Sequence, residues 1–393
     1  MTGAFFLGWR YLHFHRFKTL VLLASVTLMM FLPAATRLLV ADSAVALTAR
    51  AQATPLLLGE AGGELELVLN ALYFHAEQPP TLPYAALDEI KASGLANAIP
   101  LYTRFRSRTA PIVGTSLDYF EFRNLQLSAG RMMGLLGEAV VGANVASERG
   151  VGPGDHLVSS PETVFDLAGV YPLKMRIVGV LARSGSADDD AVFVDVRTAW
   201  VIQGLGHGHQ DLTEGGSSAS VLSRNGGTIT ANAGLKQFNE ITPENIRDFH
   251  FHGESSGFPL SAVIIVPPNA KNTTLLRGRY QNHESAYQVL VPADVLDDLL
   301  ETVFTIQNYV ILGLMMLSLA TIAVVTLVFL LSQQLRRGEF MTLKRMGASR
   351  GFVATLIASE IGFVLLGSIL LSALLSWVTR HYATEFLLSL VTL

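Results

Sequence analysis

The chain contains no cysteine, so no disulfide staples it and no thiolate holds a metal. Charged residues are also scarce, at 15% of 393 positions, against 50% hydrophobic ones. No GxxxxGK[ST] loop occurs, so no phosphate loop cradles a nucleotide through backbone N–H groups. HExxH and GxSxG are absent as well, and no spacing of Ser, His and Asp singles out a nucleophile. The chain is therefore read as no enzyme, with no catalytic residue and no cofactor.

Apolar length is what the chain has in quantity. Its mean hydropathy is +0.41, with apolar residues concentrated at 19–36, 309–331 and 352–378. About 20 apolar residues in a helix cross the roughly 30 Å hydrocarbon core, so these runs predict three spans. A cleaved signal peptide is the rival reading of the first run, because Ala-rich sequence follows it. Its length favours an uncleaved anchor. Glu360 is the one ionisable residue in the third run. It lies about two turns from the run's start, and is read as a packing or headgroup-level residue rather than a proton or substrate site.

Charge sets the topology. Residues 1–18 carry Arg10, Arg16 and Lys18 with no acid. The loop after the second run carries Arg336, Arg337, Lys344, Arg345 and Arg350 against Glu339. Together these stretches hold +7 in a chain of net charge −4, which leaves −11 elsewhere. The positive-inside rule then puts the N-terminus and this loop in the cytoplasm and the middle of the chain outside. No nucleic-acid partner is expected.

The fold class expected is a membrane protein, an α-helical transmembrane part of three spans with a large α+β extracytoplasmic domain between the first and second. The expected divisions are a cytoplasmic or interfacial N-terminal helix at 1–18, spans at 19–41, 304–332 and 352–378, and the exported domain at 42–303. A cytoplasmic helix at 333–351 and an extracytoplasmic tail at 379–393 complete it. In the N-terminal stretch, Phe5, Phe6, Trp9, Leu12 and Phe17 are expected to share a broad apolar face. Within the domain, 65–72 reads as a strand and 84–93 as a helix. Strands are expected at 110–114, 139–142, 175–181, 191–194, 262–266 and 288–291, and a helix at 293–304 leading into the second span. Residues 203–261 shift to Gly, Ser, Thr, Asn and His and read as a loop-rich insertion.

That insertion holds His207-Gly-His209 and His250-Phe-His252. On a strand, positions i and i+2 share a face, so each pair would present two imidazoles together. A loop-rich insertion also carries polar side chains without any metal. No metal ligand is assigned on this basis, and an exported metal-handling module stays a secondary reading.

The loop at 336–350, RRGEFMTLKRMGASR, is more specific. It is short, basic and helix-compatible, and Gly347 supplies a stop. A loop that only satisfied topology would need charge but no terminated amphipathic helix. The segment resembles the coupling helix of the MacB/FtsX/LolC-type (type VII) ABC-transporter permeases. Arg337, Glu339, Leu343, Lys344, Gly347, Ala348 and Ser349 match that pattern position by position. The exported part is similar to the family's extracytoplasmic module at Ile112-Val113-Gly114-Thr115, Tyr119-Phe120, Gly130-Arg131, Val140-Val141-Gly142 and Gly154-Asp155. Ile177-Val178-Gly179-Val180 and Val192-Phe193-Val194 continue the match.

The resemblance implies a permease subunit in a bacterial inner membrane that pairs with itself or a related permease and with two copies of a separate ATPase. A periplasmic partner protein fits the same scheme. The ATPase-coupling residues it implies are Arg336, Arg337, Glu339, Leu343, Lys344, Arg345, Met346, Gly347, Ala348 and Ser349. ATP-driven closure of the ATPase pair would push this helix, and long helices would pass the motion to the exported domain. The family pattern has four spans where three are read here, so the chain is expected to be a three-span variant or a truncated product. A membrane scaffold that binds an ATPase without transport is the alternative.

Overall fold

The computed structural model describes residues 2–160, 172–208, 221–225, 228–231, 239–280 and 286–391. Its helices are α1 Thr2–Phe14, α2 Arg16–Gln52, α3 Glu64–Tyr73, α4 Tyr84–Ser93, α5 Asp118–Phe122 and α6 Ala143–Arg149. They continue with α7 Val196–Ile202, α8 Ala270–Arg279, α9 Pro292–Leu335, α10 Arg337–Arg345 and α11 Arg350–Val391. The strands are β1 Leu56–Glu60, β2 Leu82–Pro83, β3 Asn97–Ser107, β4 Ala110–Thr115, β5 Leu127–Gly130, β6 Glu138–Val141, β7 His156–Val158 and β8 Lys174–Leu181. After them come β9 Val192–Asp195, β10 Gly206–Gly208, β11 Val221–Asn225, β12 Thr228–Ala231, β13 Phe249–Phe251, β14 Pro259–Leu260, β15 Ala262–Val266 and β16 Tyr287–Leu290. Two units divide the chain: Met1–Ala49 with Asp297–Leu393, and Arg50–Leu296.

The second unit is built on a sheet of strand order β16-β1-β15-β3-β4-β9-β6-β8-β5, with β7 paired to β8. β4 runs parallel to β9 and β6 parallel to β8, while the other neighbours are antiparallel. Its first and last strands meet, with Leu57 opposite Leu290 and Leu58 opposite Val289. Helices cover both faces, as the β9 side chains show. Val192 and Val194 join the core formed with Leu87 and Ile90 of α4 and Ala199 and Trp200 of α7. Phe193 points the other way, its ring 5.5 Å from Tyr119, 5.3 Å from Phe120 and 6.2 Å from Phe74. Leu87 and Ile90 are fully buried, each contributing about 1.5–3 kcal/mol.

One expected strand is a helix. The stretch 65–72 lies in α3, where Leu67, Val68, Ala71 and Leu72 are buried together. Their spacing follows a helical face, and Glu64 and Glu66 in the first turn complement its N-terminal dipole. Alternation was the wrong period to apply there. The helix at 84–93 coincides with α4, and the six expected strands fall on β4, β6, β8, β9, β15 and β16.

The last turn of α2 carries Arg50, a buried guanidinium that donates to both oxygens of Asp188 at 2.6 and 2.9 Å. It also donates to the Tyr119 hydroxyl at 2.7 Å, which in turn donates to Asp188 at 2.6 Å. Burial alone would raise the Asp188 pKa, but Arg50, Tyr119 and Ser186 hold it below the ordinary carboxylate value. Nearby, burial pushes the Tyr73 hydroxyl up to about 12.

The first unit is helical in its described residues. Among the described residues, three helices are long and apolar enough to cross a membrane: Arg16–Gln52, Pro292–Leu335 and Arg350–Tyr382. α2 and α9 run unbroken well beyond the expected spans, α2 through Pro33. The third helix likewise does not end at 378. It continues to Val391, so most of the expected tail at 379–393 is backbone of α11, with no Gly or Pro to stop it.

α1 packs along α11 through a buried stripe of Ala4, Gly8 and Leu12, four residues apart. A Cβ at Gly8 would collide with the Ser359 hydroxyl, so glycine sets how close the two helices come. Phe5 and Trp9 meet Phe363 edge-on at 6.4 and 5.6 Å, and both remain exposed, as do Phe6 and Phe17. Of the residues expected to share one face, Phe5, Phe6, Trp9 and Leu12 all lie on α1 and Phe17 does not. The chain breaks between α1 and α2 at His15, which puts Phe17 on a different helix.

Candidate functional site

α10 is a nine-residue helix with no buried residue, set between the two long apolar helices α9 and α11. Both of its ends are chemically defined. At the C-terminus, the Ala348 N–H donates to the Leu343 carbonyl at 3.0 Å and the Gly347 N–H to Lys344 at 3.1 Å. This pair of bonds is the Schellman arrangement, which needs a left-handed residue at its penultimate position. Gly347 supplies it, with φ +96°. Two residues on, the Ser349 hydroxyl accepts the Phe352 N–H at 3.1 Å and caps α11. The tripeptide Gly347-Ala348-Ser349 therefore ends one helix and starts the next.

At the N-terminal end, Arg336 is buried rather than displayed. One of its terminal nitrogens donates to both Glu360 oxygens, at 2.7 and 3.0 Å, and its Nε donates to Glu339 at 3.0 Å. The guanidinium also lies over the Tyr11 ring, 3.5 Å from its centre, and 5.0 Å from that of Phe340. Burial by itself would disfavour the cation, yet the bonds to Glu360 and Glu339 hold its pKa above the ordinary arginine value. Beside this group, Lys18 donates to Ser332, whose hydroxyl is 3.4 Å from that of Tyr11.

The ten residues expected to act together thus separate by environment. Arg337, Glu339, Lys344, Arg345, Met346, Gly347 and Ser349 are exposed. Leu343 and Ala348 are half-buried, and Arg336 is buried against α1 and α11 residues. Glu360, read from sequence as a packing residue, is the carboxylate that holds Arg336. Tyr11, Lys18 and Ser332 were not anticipated at the site. Their sequence signal is faint: a base and an aromatic before the first apolar run, and a serine near the end of the second.

The histidines were expected in i, i+2 pairs. The structure instead brings His207 to His250 and His252, with one nitrogen of each ring within 4.8 Å of the others. His209 and Asp211 lie outside the described residues.

A mixed α+β domain carried between helices apolar enough to cross a membrane defines a membrane protein with an extracellular domain. Residues 23–234 match the MacB-like periplasmic core domain. The chain belongs to that family, and with it to the MacB/FtsX-type ABC transporter permeases, whose members are permease components and work with an ATPase. Two solved structures are similar. The extracellular domain of the noncanonic ABC-type transporter YknZ from Gram-positive bacteria is 15% identical and has a TM-score of 0.32. That match covers 60% of this chain and 98% of the YknZ chain. The periplasmic region of MacB from Actinobacillus actinomycetemcomitans is 11% identical with a TM-score of 0.33, covering 64% and 95%. No curated protein matches the chain.

Proposed function

We propose that this chain couples ATP hydrolysis by a separate ATPase subunit to movement of its extracytoplasmic domain, and so acts on a substrate or partner outside the membrane. The observation that carries the reading is α10. It has no buried residue, is amphipathic, and is fixed at both ends by specific bonds. Arg337, Lys344, Arg345 and Met346 offer three cations and one flexible apolar side chain to a partner. An acidic, partly apolar groove on an ATPase would be complementary to this surface. The unbroken α2 and α9 suit transmission, because a continuous helix carries displacement along its axis with little loss. The two basic stretches favour a cytoplasmic N-terminus, and the family resemblance favours a bacterial inner membrane. Two ATPase copies, a permease dimer with itself or a relative, and a periplasmic partner belong to the same proposal.

The test is charge reversal, Arg337→Glu with Lys344→Glu, in the full chain co-expressed with its ATPase. The expected result is loss of co-purification and of stimulated ATP hydrolysis, with unchanged membrane insertion and thermal stability. Wild-type association and rate would sink the assignment. Stimulation that never responds to any exported substrate would favour the scaffold instead.

A further inference from the structure

β10 and β13 form an antiparallel ribbon in which His207 lies opposite His250, flanked by Gly206 opposite Phe251 and Gly208 opposite Phe249. Alternation along each strand sends the two phenylalanines to one face and the imidazoles to the other. The phenylalanine face is packed. Phe251 meets Phe258 at 5.9 Å, Arg197 lies 5.3 Å over its ring, and both phenylalanines rest on the domain core. Gly206 and Gly208 make that packing possible, since a Cβ at either would stand 2.7 or 2.5 Å from the facing ring. With the aromatic face fixed inward, His207 and His250 must face out. His252, two residues beyond His250, shares that face, and its N–H donates to the Leu205 carbonyl at 2.9 Å.

The three rings form a nearly regular triangle, with centres 4.9, 4.7 and 4.9 Å apart. We propose that this face binds one divalent transition-metal ion of the class that imidazole prefers, zinc first and copper(II) or nickel(II) in its place. A tetrahedral zinc with bonds of 2.0–2.1 Å holds its nitrogens about 3.4 Å apart. The ligand atoms within 4.8 Å of one another need to close by less than about 1.5 Å. Rotation of the side chains supplies that, His250 and His252 being exposed. His250 Nδ1 is 3.2 Å from the Asp248 carbonyl oxygen. In the tautomer that donates this bond, Nε2 keeps the lone pair a metal needs and the ring is oriented from behind. Three neutral imidazoles leave a fourth position for water, a small anion or a ligand from a partner. The site is independent of the reading of α10, for it rests on the register of β10 and β13 and on the placing of the three imidazoles.

The experiment uses the full chain in detergent, stripped with chelator and titrated with Zn²⁺ by calorimetry beside His207→Ala/His250→Ala/His252→Ala. Wild type is expected to bind one more zinc per chain than the triple variant, with affinity falling at least about tenfold in His250→Ala alone. Copper(II)-loaded wild type should show electron paramagnetic resonance couplings from more than one imidazole nitrogen, lost in the triple variant. Equal zinc stoichiometry and affinity in wild type and triple variant would overturn the site, as would a copper spectrum unchanged by the substitutions. Thermal unfolding of each variant establishes that a loss of binding is not a loss of fold.

Discussion

Arg336 and Glu360, 24 residues apart, are joined through one guanidinium nitrogen that donates to both carboxylate oxygens at 2.7 and 3.0 Å. The pair fixes the start of α10 to the early part of α11, while the tripeptide 347–349 fixes its end to the first turn of the same helix. Both ends of the exposed helix are therefore referred to α11.

Removing one member of a buried ion pair leaves the other charge uncompensated, at a cost of about 3–5 kcal/mol. Glu360→Ala is expected to lower thermal stability in detergent by an amount in that range. Replacing both members by methionine should recover much of it. A single substitution with wild-type unfolding temperature would show the pair to be energetically idle.

Gly347 has open space around its α-carbon, so any penalty for a side chain there comes from its backbone angle alone. Gly347→Ala should cost about 1–2 kcal/mol, and Ser349→Ala about 1 kcal/mol through loss of the cap. Thermal melts measure both. The functional expectation is stronger than the energetic one: a frayed α10 should lose ATPase stimulation before the protein unfolds.

The Arg50, Asp188 and Tyr119 group makes the exported domain sensitive to acid. Asp188 has a folded pKa below its unfolded one, so its contribution is complete above about pH 4. That contribution drains away as pH falls through the lower, folded value. Asp188→Asn should flatten the acid limb of a stability curve and destabilise the protein at neutral pH. Tyr73 behaves in the opposite sense. Raised to about 12, it stabilises the fold below about pH 10 and the effect is lost as pH rises towards 12.

The parts of this molecule legible in the sequence are those set by local pattern. Apolar length announced the long helices, and short β-rich runs between turns located β4, β6, β8, β9, β15 and β16. α3 was misread because LELVLNAL supports alternation as well as a helical face over so few residues, and only burial decides. β3 was missed: Pro100 stands inside it and argues against a central strand, yet the strand is paired on both sides. The exposed face of the candidate site was readable as a basic, Gly-stopped helix. Its anchor was not, since Glu360 sits in an apolar run and Tyr11 lies 325 positions before Arg336. Likewise, His250 and His252 could be placed on one face from sequence, but only strand register reveals that His207 completes it.

The pairing of β1 with β15 and β16 bears on the order in which the chain is made. β1 leaves the ribosome first among the strands, and its two neighbours, around Ile264 and Leu290, follow roughly 200 residues later. Until then Leu56, Leu57 and Leu58, all fully buried in the finished protein, have no neighbouring strand. A nascent chain halted anywhere before β15 would display them as an open sticky edge on the far side of the membrane. Closure of the sheet around β1 therefore waits until β15 and β16 have been made.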